Sequence, residues 1–136
     1  MEEKRRKRYM KKLELIMKRA GEIEEWKSGF FMKEKDRLAV YKAFQEIGEA
    51  CMDIITMILK DSGKIPEDDY INITKVIKLG FLPDNLKPIL EDLNGLRNRI
   101  VHEYNGLDDE IAFDAMTEIL PDIKEFVMAV GKWLEK

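Results

Sequence analysis

The 136 residues contain one cysteine, one histidine, four prolines and eight glycines, and each scarcity closes a route. A single Cys51 cannot form an intrachain disulfide, and with one histidine beside it there is no Cys/His set for a structural zinc ion. A reducing, cytoplasmic setting is expected. Few prolines and glycines exclude a low-complexity or loop-dominated chain. No apolar run reaches the length of a membrane span, and the basic start is not followed by the apolar core of a signal peptide, so no membrane association is expected. No Gly-rich phosphate loop follows a strand, which argues against P-loop hydrolysis, and no Ser or Cys nucleophile stands with a recognisable base. The net charge of −3 excludes a polyanion binder by global balance and leaves room only for a local basic patch.

What is there is helical. A hydrophobic fraction of 45% with 38% charged residues fits one folded, helix-rich domain over residues 1–136. Tyr9, Leu13, Ile16, Ala20 and Ile23 recur at three- and four-residue steps, predicting a helix over 3–27 that ends at Ser28-Gly29. A second runs from Asp36, as N-cap, to Lys60, burying Val40, Phe44, Ile47, Cys51, Ile54, Ile55 and Ile58; Asp61-Ser62-Gly63 closes it. A short helix near 70–79 stops at Gly80, and Pro83-Asp84-Asn85 starts a fourth. Asp108-Asp109 opens a fifth, with Ile111, Ala115, Ile119, Ile123, Phe126, Val130 and Trp133 as its buried stripe and a kink expected at Pro121. The fold class expected is all-α, an antiparallel bundle of about five helices. The methionines and aromatics read as core. The acidic runs 67–69 and 108–110 read as helix caps.

The stretch RNRIVHEY, residues 97–104, breaks this plain pattern. On the fourth helix Leu86, Ile89, Leu90, Leu93, Leu96 and Ile100 share a face, and Arg97 lies within their arc. An arginine there must snorkel, find a buried carboxylate, or face a cleft where its fork of donors meets an anion. His102 follows five residues later, about 140° around a regular helix, whereas Asn98 and His102 form an i,i+4 pair on one face. Metal-free RNA cleavage needs a base for the 2′-hydroxyl, an acid for the leaving oxygen and a cation at the phosphate. Histidine, with an ordinary pKa of about 6.5, serves either proton transfer. With one histidine per chain, a two-fold dimer would supply two histidines and two arginines to one groove. The structural alternatives stay open: a lone histidine near a helix end is more often a cap or surface residue, and Tyr104 suits simple half-buried packing. The basic run KRRKRYMKK, residues 4–12, is either a solvated helix face or a phosphate-tracking patch beside the cleft.

Arg97, four residues, His102, one residue, Tyr104 resembles the Arg-x4-His-x-Tyr signature of the HepT-like toxins, a branch of the HEPN superfamily. DRLAVYKAFQEIGEACMDI, residues 36–54, looks like that family's second helix, and GFLPDNL like its approach to the motif. The resemblance implies a toxin of a type II toxin–antitoxin system, a metal-independent endoribonuclease without cofactor, active as a homodimer on RNA. It implies that Arg97 holds the scissile phosphate, that His102 is the acid/base catalyst and that Asn98 supports them. Tyr104 matches the tyrosine to which an MNT-type nucleotidyltransferase antitoxin transfers AMP. The competing expectation is a non-catalytic helical module that binds a nucleotidyltransferase or nucleic acid.

Overall fold

A computed structural model describes all 136 residues. The chain forms α1 (Glu3–Trp26), α2 (Glu34–Asp61), α3 (Asp69–Lys78), α4 (Leu86–Glu103) and α5 (Asp109–Leu134), with 3-10 turns at Lys27–Gly29 and Tyr104–Gly106 and no strand. α2 is the hub: α1, α3 and α4 all pack on it, and α5 packs on α4 and α1. Thirty-two buried apolar residues make one continuous core, so the bundle is a single cooperative layer of helix on helix.

The turn chemistry acts as expected at Gly63 and Gly80, whose φ values of 75° and 76° are the left-handed conformation that ends α2 and α3. Asp68 and Asp108 cap α3 and α5, each accepting from the backbone N–H three residues on, as the acidic runs suggested. Two expectations are corrected. Asp36 is not the N-cap of α2: the helix begins earlier, at Glu34, with Lys33 in the cap position, and Asp36 complements the dipole from inside the first turn. Ile111 is 59% exposed; the buried face of α5 is Ala112, Met116, Ile119, Ile123, Phe126, Val130 and Leu134. One residue is 100° of helix, so a stripe drawn from Ile111 starts one residue off the core, while Trp133 at its other end is half-buried and packs against it. Pro121 removes one backbone donor, yet α5 runs through it unbroken.

The basic run 4–12 divides in two. Tyr9 is fully buried, donates to Asp61 at 2.6 Å and packs on Trp133; Arg5 approaches the same carboxylate at 3.5 Å. Arg6 donates to the Leu134 carbonyl at 3.0 Å, satisfying one of the orphan acceptors at the end of α5. Half of this segment is therefore structural, and it lies at the Asp61 end of α2. Arg97 meets α2 at Gly48, thirteen residues or about 20 Å of helix from Asp61, while the Lys12 end of the run pairs with Asp53 at 3.2 Å, five residues or about 7.5 Å from Gly48. No helix is long and apolar enough to cross a membrane.

Candidate functional site

α4 runs to Glu103, whose φ of −129° already leaves helical geometry, and a 3-10 turn follows over Tyr104–Gly106. Five residues of regular helix set Arg97 and His102 about 140° apart and about 7.5 Å apart along the axis. On a regular helix the two side chains leave in different directions, so they meet at one phosphate only by reaching around the helix or across to a second copy. His102 lies exposed on the solvent face beside exposed Val101, while Asn98 is half-buried.

Arg97 turns inward, toward α2 and α3. Its Nη2 donates to Asp69 Oδ2 at 2.9 Å and to Asn94 Oδ1 at 3.0 Å, and its side chain is only 17% exposed. Its stem lies against Gly48, where a Cβ would sit 2.7 Å from the arginine's Cγ, closer than carbon atoms approach. Of the three fates open to an arginine on this stripe, the structure realises the carboxylate. It does so incompletely: both acceptors share one nitrogen, and Nε is buried without a partner, as is Nδ2 of fully buried Asn94. Buried donors without acceptors are costly, by about 1–3 kcal/mol each, so the guanidinium is held in place but not saturated.

Tyr104 sits just past α4 with its ring edge-on to Tyr41, centroids 5.4 Å apart, and is 37% exposed. Tyr41 in turn donates to Asp109 at 2.5 Å, and Arg37 reaches the same carboxylate at 3.6 Å. Burial, then the bond to Asp109, pushes the Tyr41 hydroxyl well above the ordinary tyrosine range, so it stays protonated and donates to Asp109 beneath the Tyr104 ring.

Four contributors escaped the sequence reading. Gly48 carried a usable signal, since a mid-helix glycine costs about 1 kcal/mol against alanine and marks a close approach. Asn94 carried another, a polar residue on an apolar stripe one turn before Arg97. Asp69, read as a cap, pairs Arg97 across the fold, and Asp109 likewise anchors Tyr41; neither pairing has a local trace. A groove of about 560 Å³ runs along α4 between Tyr70 and Arg99, but it contains neither Arg97 nor His102 and is lined by Glu91, Asp92 and Glu118, a poor seat for a phosphate.

Comparison with known proteins gives a consistent picture. Residues 7–130 match the family described as Ribonuclease HepT-like. A protein of Archaeoglobus fulgidus, named as a candidate RNase, is 35% identical over 135 residues, covering 97% of each chain. The "tRNA nuclease HepT" of Aphanizomenon flos-aquae is 30% identical over 131 residues, covering 93% of this chain and 80% of the relative. Among solved structures, the tri-AMPylated Shewanella oneidensis HEPN toxin in complex with MNT antitoxin superposes with a TM-score of 0.83 at 23% identity, covering 91% of this chain and 96% of that one; this likeness is one of fold.

Proposed function

The chain belongs to the Ribonuclease HepT-like family, and from that premise we propose that it is a toxin of a type II toxin–antitoxin system: a metal-independent endoribonuclease whose site forms between two copies of the chain. The observation that carries the proposal is the state of Arg97. It is locked by Gly48, Asp69 and Asn94, yet only one of its nitrogens is occupied, on a helix whose only histidine points elsewhere. The Nη1 of Arg97 makes no hydrogen bond and, unlike Nε, is not buried, so it can receive a phosphate oxygen, and a partner's helix related by a two-fold axis brings a second cation and histidine. Exposed Leu38, Val101 and Ile111 lie on the elements around Tyr104 and offer apolar area for such an interface.

In this site one His102 takes the 2′-hydroxyl proton, the oxygen attacks the adjacent phosphorus, and the other His102 protonates the departing 5′ oxygen, leaving a cyclic phosphate. Arg97 stabilises the charge gathering on the phosphoryl oxygens. Asn98, one helical turn before His102, supports the site. Tyr104 is the acceptor for control: its hydroxyl oxygen attacks the α-phosphorus of ATP on an MNT-type nucleotidyltransferase antitoxin, pyrophosphate leaves and the phenolic proton is lost. The appended phosphodiester then repels and occludes RNA. The solved relative is AMPylated and bound to an MNT antitoxin, which supports this reading.

The Arg97–Asp69 pair favours a second reading, a non-catalytic module in which the arginine only braces α3. Cleavage of several RNAs by purified protein in excess chelator, alongside light scattering at micromolar concentration, separates the two. The nuclease reading expects cleavage by a dimer; intact RNAs across pH 6–8 and a strict monomer support the module. Intact mass after incubation with the nucleotidyltransferase and ATP tests control. One or more adenylyl increments are expected on the wild type, and equal labelling of Tyr104→Phe contradicts the assignment.

A further inference from the structure

The other half of the basic segment is not explained by folding. Eight cations and a single carboxylate, Glu14, fall between residues 4 and 18 of a chain with net charge −3. Arg5 and Arg6 are bound at the Asp61 and Leu134 ends of the bundle, and Lys12 pairs with Asp53. Lys4, Lys7, Arg8, Lys11 and Lys18 are exposed and make no ion pair or side-chain hydrogen bond. At 100° per residue these five occupy an arc of about 100° and a length of about 21 Å, opposite the face that buries Tyr9, Leu13 and Ile16. Glu14 lies at the edge of the arc and bonds none of them.

A row of like charges on one helix face repels itself and weakens the helix. Here the fold neutralises the cations on the inner flank and leaves the outer row bare. We infer that the outer face of α1 is a phosphate-tracking surface that anchors the body of an RNA whose scissile bond lies at the motif on α4; the row runs from the Asp61 end of α2, about 20 Å of helix from Gly48, up to Lys18, next to Arg19, which pairs with Glu46. This inference rests on the ribonuclease reading for its choice of polyanion. The cations of residues 4–11, toward the Asp61 end, serve an extended or folded RNA and lie out of reach of a fragment of a few nucleotides held at the motif.

The test replaces Lys4, Lys7, Arg8 and Lys11 together by Gln in the full chain and compares it with a control of equal charge loss elsewhere, Lys42, Lys64, Lys78 and Lys124 to Gln, four further exposed lysines. Anisotropy of a labelled, folded RNA of tRNA size is measured from 50 to 300 mM salt. The α1 quadruple is expected to bind at least about tenfold more weakly near 100 mM, with the log–log salt slope reduced by roughly 3; the control should stay near wild type. Cleavage of the folded RNA should show a raised KM and an unchanged kcat, and cleavage of a short oligonucleotide should not change. An unaltered salt slope overturns the inference, as does equal weakening by the control, or loss of antitoxin binding with RNA binding intact, which would assign the face to an acidic protein. Should wild type bind RNA through this face and cut none, the surface stands and the nuclease reading falls.

Discussion

The bundle uses one device at both ends, for different purposes. At the end formed by α1, α2 and α5, Tyr9 donates to Asp61 with Arg5 beside it; at the other, Tyr41 donates to Asp109 with Arg37 beside it. Both hydroxyls are pushed far above the ordinary tyrosine range, by burial first and then by the carboxylate. Tyr9 has its ring sealed against Trp133, and nothing near it is left wanting. Tyr41 carries a second, exposed tyrosine on its ring, and two to three α4 turns further in lie two buried donors without acceptors. The same Tyr–Asp–Arg chemistry closes a structure at one end and presents a site at the other. What distinguishes them is unsatisfied hydrogen-bonding capacity, which a fold tolerates where it is of use.

His102→Ala should separate the two ends most clearly, lowering RNA cleavage by on the order of 10²- to 10⁴-fold while leaving the melting temperature unchanged, because the side chain is exposed. Arg97→Ala should lose a similar factor but, unlike His102→Ala, should also cost about 1–3 kcal/mol in denaturant unfolding, since Asp69 and Asn94 lose their shared partner. At the closed end the signs reverse. Tyr9→Ala should cost about 3–5 kcal/mol with cleavage per folded molecule intact. Gly48→Ala probes the stem alone: helix propensity of about 1 kcal/mol offsets only part of the crowding against Arg97 Cβ and Cγ, so stability should fall by up to about 2 kcal/mol, while displacement of the Arg97 stem should cut cleavage by about tenfold or more.

The smallest effect concerns alkali. In the folded chain Tyr9 and Tyr41 keep protons that the unfolded chain releases near pH 10, because both are raised. Their contribution is therefore whole below about pH 10 and is lost as the pH climbs beyond it. Unfolding free energy should be flat to about pH 9.5 and fall above it, with a shallower fall in Tyr9→Phe and Tyr41→Phe. A 295 nm titration in which both tyrosines ionise near pH 10 with the fold intact would contradict the pairing.

The helices, their stops at Gly63 and Gly80 and the core face of α2 were legible because period and turn chemistry are local. Arg97 was legible as an anomaly for the same reason, an arginine where the period calls for leucine. Its resolution was not, because the Asp69 pairing spans 28 residues and Gly48 lies on another helix. Asp36 and Ile111 misled in the opposite way. Each has the right residue type for the assigned role, but the helix starts are set by packing against neighbouring helices, which shifts a boundary by a residue or two without changing the pattern.

Catalysis at the shared groove requires His102 from both protomers, and mixing tests the requirement. Wild type and His102→Ala, fully exchanged in proportions from none to all, are assayed for cleavage of one RNA at constant total protein. If each groove requires both histidines, activity follows the square of the wild-type fraction and an equal mixture retains about one quarter. A straight line, with about one half retained in the equal mixture, would mean that each chain cuts alone and would contradict the shared site.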